Sequence, residues 1–181
     1  MNEKLFSGNI ERLRAPERVA RLEVERVASL CLDSALLKSV LEVGVGSGLF
    51  AEVFFKHGLK VAGVDINAQM VDAARQFVPG GDFQEAAAEA LPYTDSSFDL
   101  VFLGLVLHES DAPLKVLQEA QRVSRQRVCI LEWAYREQEF GPPLEHRLKP
   151  TDVAALAQKA GLFDLEIIPL NYLAYYRMSS E

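Results

Sequence analysis

The sequence of 181 residues predicts an open, doubly wound α/β sheet with helices on both faces. Three observations carry that expectation. The first is the stretch Val40-Leu41-Glu42-Val43-Gly44-Val45-Gly46-Ser47-Gly48-Leu49-Phe50, a short apolar run, then glycines at alternate positions, then an apolar-periodic segment reaching His57. That order is strand, tight turn, helix, and glycine allows backbone to lie against a ligand that a Cβ would push away. The second is Lys60-Val61-Ala62-Gly63-Val64-Asp65, another short strand that ends in an acid. In a doubly wound sheet, an acid about 20 residues beyond the glycine turn meets ribose hydroxyls, because one carboxylate can accept from both. The third is Phe98-Asp99-Leu100-Val101-Phe102-Leu103, nearly continuous in apolar residues, as expected of a strand covered on both faces of a parallel sheet.

Composition narrows the class. Hydrophobic residues make up 49% and charged residues 25%, as in an ordinary globular domain, and the formal charge is −7. An acidic balance argues against sequence-independent nucleic-acid binding, which needs basic surface. Cys31 and Cys129 sit in apolar runs and read as buried, reduced thiols. The first residues show no basic-then-apolar leader, and the longest apolar run, Leu100 to Leu107, is far short of the roughly 20 residues a membrane span takes. The expectation is a cytoplasmic protein without membrane contact, with residues 1–181 as one domain: 1–35 a leader and helix able to cover the site, 36–181 an α/β core.

The elements follow in order. Met1 to Ala15 reads as an irregular leader whose large apolar residues are Leu5, Phe6, Ile10 and Leu13. Pro16 suits a first helical turn, and Val19, Leu22, Val27 and Leu30 recur near helical spacing up to about Leu32. Arg12, Arg14, Arg18, Arg21 and Arg26 are nearly balanced by Glu11, Glu17, Glu23 and Glu25, so this reads as a solvated helix face with a favourable Glu17–Arg21 pair. Asp33-Ser34 ends the helix, and the organising strand begins near Lys38. His57-Gly58 stops the next helix, and Asn67 is placed to cap one starting near Ala68. Pro79-Gly80-Gly81 turns into a third strand, Asp82 to Glu85. After the fourth strand come a helix from Pro113 to Val123 and a strand from Arg127 to Glu132. Gly141-Pro142-Pro143 breaks the chain and Glu145-His146-Arg147 forms a charged loop. A last helix runs from Pro150 to Ala160 and stops at Gly161. Two strand-like runs follow, Phe163 to Ile168 and Asn171 to Met178, with only a turn between them at Pro169.

The glycine spacing discriminates between ligands. A dinucleotide fingerprint, Gly-x-Gly-x-x-Gly, needs glycine where Leu49 stands, which disfavours a nicotinamide dehydrogenase. The observed Glu-x-Gly-x-Gly-x-Gly resembles motif I of the class I S-adenosylmethionine-dependent methyltransferases. The run from Leu91-Pro92-Tyr93 to Ser97-Phe98-Asp99 resembles a segment of their type 11-like subgroup, and the resemblance extends from about Leu36 to the end. It implies a Rossmann-like sheet, mostly parallel with one antiparallel strand near the C-terminus, and S-adenosylmethionine as cofactor. By resemblance, Glu42 meets the cofactor's amino group, and Gly44, Val45, Gly46 and Gly48 pass beneath its methionine and ribose. Ile66 and Met70 would lie beside the adenine, although both also read as core. The subgroup's adenine-binding Asp is replaced by Ala87, which shifts adenine recognition to the backbone near Ala88, to Glu89 or to Glu85. Leu103 and Gly104, at a strand's carboxyl end, would border the methyl donor.

The acceptor side is less determined. A base is needed only if the acceptor must lose a proton to become nucleophilic. His108, just past a strand end, is the candidate; a core or helix-start histidine with a satisfied hydrogen bond is the competing reading. Glu109, Asp111, Glu132, Tyr135 and His146 are weaker candidates. Phe6 to Arg14, with His108 and Tyr135, would form the acceptor wall, and Arg12 or Arg14 would hold a carboxylate. No metal site is expected, because His57, His108 and His146 lack zinc-ligand spacing, and His57 reads as a helix C-cap. The expected activity is methyl transfer to a small molecule. The alternative is a non-catalytic sensor or partner subunit that binds the same cofactor.

Overall fold

The computed structural model describes residues 9–33 and 35–180. The expectations for Leu5, Phe6 and Ser34 lie outside the described residues. Seven strands, β1 (Ser39–Val43), β2 (Lys60–Asp65), β3 (Asp82–Glu85), β4 (Phe98–Gly104), β5 (Ser124–Trp133), β6 (Phe163–Pro169) and β7 (Leu173–Ser179), form one sheet in the order β3-β2-β1-β4-β5-β7-β6. Strands β1 to β5 pair in parallel, and β7 runs antiparallel to both β5 and β6, so a single strand is reversed. From β1 the chain winds outward through β2 and β3 on one side and through β4 and β5 on the other. The crevice beyond the carboxyl ends of β1 and β4 is the switch point where such sheets bind ligands.

The helices are α1 (Ile10–Leu13), α2 (Pro16–Arg21), α3 (Val24–Leu32), α4 (Leu49–Lys56), α5 (Ala68–Phe77), α6 (Pro113–Val123) and α7 (Pro150–Lys159). Alternate strand residues serve opposite faces. Val40, Phe102 and Leu131 pack with Val27, Phe54 and Ala74 of α3, α4 and α5. Leu41, Leu103 and Ile130 pack with Leu117, Ala120 and Val153 of α6 and α7. Both faces are covered, which is why the central strands carry almost no polar residues. At the amino ends of β1 and β4, away from the crevice, Asp99 accepts from the backbone N–H groups of Lys38 and Ser39 and pairs with Arg125. That locks β1 to β4.

The N-terminal segment departs from expectation. The irregular leader contains α1, whose first turn is capped by Asn9 accepting from the Glu11 N–H at 2.7 Å. The single helix expected from Pro16 to Leu32 is broken at Glu23, which adopts a left-handed φ of 49°. The break lets Leu22 and Val24 both enter the core, and Glu23 accepts from the Asn171 N–H at 2.8 Å and pairs with Arg26. The expected Glu17–Arg21 pair is not formed; the Arg21 guanidinium instead lies 3.5 Å over the Phe140 ring. Elsewhere the helix stops agree with expectation: His57 is a C-cap, Gly58 has φ of 85°, and Asn67 caps α5 through the Gln69 N–H. No helix among the described residues is long and apolar enough to cross a membrane.

Candidate functional site

A cavity of about 1700 Å³ opens at the carboxyl ends of β1, β2 and β4. Its floor is the glycine turn, its sides are the ends of β2 and β4, and its cover comes from α1, α2 and the segment 133–146. Local backbone chemistry builds the floor. Gly44, Gly46 and Gly48 all have positive φ, at 70°, 50° and 74°. Their roles differ. A Cβ on Gly44 would stand 2.0 Å from Cγ2 of Val106, and one on Gly48 would meet the Ala74 backbone at 3.1 Å. A Cβ on Gly46 would meet nothing nearer than Leu13 at 3.8 Å. Gly44 therefore admits the segment after β4, Gly48 admits α5, and Gly46 leaves its peptide bare toward the cavity.

Two carboxylates face this space. Asp65 at the end of β2 accepts from the N–H groups of Gly46 and Asn67, both at 2.9 Å. Burial, outweighing those hydrogen bonds, raises its pKa above the ordinary value. Glu42 is buried on β1, and burial, with the charge of Asp65 added, pushes its pKa well up against the opposing influence of the Ala51 backbone N–H. Its Oε2 has no hydrogen-bond partner among the described residues. A buried, orphaned acceptor is costly unless a ligand donor completes it.

His108 sits in a short turn, Leu107–Glu109, after β4. The β4–β5 register, with Gly104 beside Leu131, brings the turn onto Glu132. Glu132 accepts the His108 N–H at 3.1 Å through Oε1, and its Oε2 lies 2.8 Å from the ring Nδ1 and accepts the Trp133 N–H at 3.3 Å. Both oxygens are acceptors, so Nδ1 is the ring donor and, in the neutral imidazole, Nε2 holds the lone pair. Burial works against the imidazolium, but the charges of Glu132 and Glu109 outweigh it and the His108 pKa is raised.

Of the residues expected from sequence, Glu42, Gly44, Val45, Gly46, Asp65, Ile66, Met70, Ala88, Glu89, Gly104 and His108 line this one cavity. Two fall elsewhere: Leu103 is fully buried against α6, and Gly48 lies behind the floor against Ala74. Glu85, Asp111 and Tyr135 are outside the walls, and Glu132 lies beneath His108 rather than on the surface. Glu89 accepts from the Ser110 hydroxyl. Arg14 donates to the Ser47 carbonyl at 3.0 Å, pairs with Glu52 and lies over Phe77, so it clamps α1 to the glycine turn instead of waiting for a ligand. Sequence reasoning missed Arg18, Arg21, Phe140 and Trp133 as wall residues. The one signal available was the spacing of Arg18 and Arg21, which puts them on one helical face.

The family model for a methyltransferase domain matches residues 41–130. The chain belongs to the class I S-adenosylmethionine-dependent methyltransferase family. It is similar to an uncharacterized methyltransferase of Bacillus subtilis, 31% identical over 130 residues, covering 69% of this chain and 51% of the relative. A demethylmenaquinone methyltransferase of Renibacterium salmoninarum is 32% identical over 103 residues, covering 57% of this chain and 44% of the relative. The chain thus spans about half the length of these curated relatives. A crystal structure of an S-adenosylmethionine-dependent methyltransferase from Aquifex aeolicus superposes with a TM-score of 0.84 at 24% identity, covering 95% of this chain and 97% of that one, which establishes the shared fold.

The residues present fit the family's cofactor. The orphaned Glu42 Oε2 suits an ammonium group, and the Asp65 carboxylate keeps free lone pairs for a hydroxyl pair. The bare Gly46 peptide offers the close approach a nucleoside needs. The cavity exceeds the roughly 300–1,000 Å³ of an ordinary ligand pocket, which leaves room for a second molecule.

Proposed function

We propose that the protein transfers a methyl group from S-adenosylmethionine to a small-molecule acceptor. The observation that carries the reading is the buried Glu42 Oε2 without a partner, in the same cavity as Asp65 and the bare Gly46 peptide. In this reading Glu42 holds the cofactor's ammonium, Asp65 its ribose hydroxyls, and Ile66 and Met70 flank its adenine. Glu89 and the Ala88 backbone receive the adenine edge. S-adenosylmethionine, when bound, supplies an electrophilic methyl group set for in-line displacement. The chain contributes orientation, which can supply about 7–11 kcal/mol in favourable intramolecular cases. His108 takes the acceptor's proton at Nε2, and Glu132 holds the ring through Nδ1 and stabilises the imidazolium that results. In this reading the N-terminal segment covers the cavity through residues between Asn9 and Leu22, and the rest of the described chain, from residue 36 on, supplies the cofactor-binding core.

A small acceptor is supported by the enclosure of the cavity under α1, α2 and the 133–146 segment, and by one relative's name, which is that of a demethylmenaquinone methyltransferase. Thermal shifts with S-adenosylmethionine, S-adenosylhomocysteine and NAD, side by side, test the cofactor. Stabilisation by the first two is expected, and stabilisation by NAD alone would overturn the reading. Radiolabelled methyl transfer into fractions of cell extract then tests turnover. Cofactor binding with no transfer into any fraction would leave a sensor.

A further inference from the structure

We infer that Ser110 is a positioning residue through which the adenine end of the cofactor site controls the placement of His108. The inference deepens the proposed function and rests on it, since it takes Glu89 as the side chain facing the adenine edge. Ser110 closes the turn Leu107–Glu109 that carries the base, and it lines the same cavity. Its Oγ accepts the Ala112 N–H at 3.0 Å and donates to Oε1 of Glu89. The partners fix that direction: a backbone N–H only donates and a carboxylate only accepts, so the single hydroxyl proton points at Glu89. Glu89 belongs to the segment between β3 and β4, so one hydroxyl joins two walls of the site. A cap on the first turn of α6 would account for the Ala112 bond but not for the bond to Glu89.

The bond acts at both ends. Glutamate is rich in rotamers, and freezing them when a ligand binds costs conformational entropy. Ser110 holds Oε1 in advance, and Oε2, which has no hydrogen-bond partner among the described residues, is left for the exocyclic amino group of adenine. At the other end, the turn is held at three points. Val106 packs over Gly44, the His108 N–H and Nδ1 rest on Glu132, and Ser110 reaches Glu89. The first two belong to the floor and the sheet; the third ends on a group that the cofactor itself touches. Leu105, just ahead of the turn, holds a left-handed φ of 62°, so contacts rather than backbone preference set this segment. An amino group bound at Glu89 therefore tightens Ser110 and, two residues away, the ring whose Nε2 takes the proton in the proposed reaction. Such coupling is reciprocal, so loosening the turn weakens the hold on adenine.

The test compares S-adenosylhomocysteine with S-inosylhomocysteine, in which a carbonyl replaces the adenine amino group, on the full chain. Affinities are read by calorimetry, and His108 by its ring nitrogen resonances across a pH titration with each ligand at saturation. The unaltered chain should prefer S-adenosylhomocysteine by about tenfold or more, the value of a charge-assisted bond, and the His108 titration should differ between the two complexes. Ser110→Ala should reduce that preference by about threefold or more and make the two titrations coincide. Ser110→Thr keeps the hydroxyl and should restore both. In a Glu89→Ala background, Ser110→Ala should change neither, because its route to the ligand is already gone. Identical His108 titrations with the two ligands bound to the unaltered chain would overturn this inference and leave the proposed function standing. Equal affinity for the two ligands, or a Ser110→Ala loss undiminished in the Glu89→Ala background, would overturn it equally. Failure of S-adenosylhomocysteine to bind the unaltered chain would remove the reading beneath it, and this inference with it.

Discussion

Gly44→Ala isolates what the glycine turn does for the fold. The new Cβ would stand 2.0 Å from Val106 Cγ2 on a residue with φ of 70°. Two costs combine. Left-handed backbone with a Cβ costs about 1–2 kcal/mol, and the overlap forces Val106 aside at about 1–3 kcal/mol. The sum, about 2–5 kcal/mol, is a large share of the roughly 5–15 kcal/mol that holds a domain folded. Val106→Ala separates the two terms, because the next nearest atom to the new Cβ is the Val106 Cβ at 3.4 Å, an ordinary contact. In that background Gly44→Ala should lose only the backbone part, leaving a coupling of about 1–3 kcal/mol between the sites. Urea unfolding followed by the fluorescence of Trp133, the only tryptophan, measures all four proteins at constant m. A loss below about 0.5 kcal/mol for Gly44→Ala, or an equal loss in both backgrounds, would refute the steric reasoning.

Three further expectations follow from the site. Glu42→Gln should weaken S-adenosylhomocysteine by about tenfold or more through loss of a charge-assisted bond, yet stabilise the ligand-free protein. Because burial raises the Glu42 pKa, the wild type loses stability as pH climbs from the ordinary carboxyl value toward the raised one, and the gain of Glu42→Gln should be absent at acid pH in urea melts. His108→Ala should slow turnover by at least about tenfold if the ring is the base. In the wild type the rate should rise with pH through a His108 pKa above the ordinary one, as the neutral ring appears. Glu132→Gln removes the largest upward influence and leaves burial's downward one, so the limb should move to lower pH while the plateau falls; an unmoved limb would sink the dyad. Arg147 donates to the carbonyls of Ala134, Arg136, Phe140 and Pro142, and Arg147→Gln should cost about 1–3 kcal/mol and raise protease sensitivity across 134–146.

Much of the cofactor half was legible because it is written in neighbouring residues. The apolar run, the alternate glycines and the terminal acids of β1 and β2 sit within two adjacent βα units, so spacing alone brings Glu42, Gly46 and Asp65 to one crevice. The departures came where a residue answers to something distant. The helix break at Glu23 depends on the Asn171 N–H, and Arg21 leaves Glu17 for a ring on the 133–146 segment. Leu103 misses the cavity because the pleat turns it toward α6.

The sequence by itself determined the parallel sheet, its switch point and the acids around the glycine turn, because backbone geometry and side-chain period are local properties. Only the tertiary structure decided that Glu132 lies under His108, that Val106 fills the space Gly44 leaves, and that Arg21 of α2 lies over Phe140. Those pairings are set by strand register and by the packing of elements far apart in the chain, which local spacing does not encode.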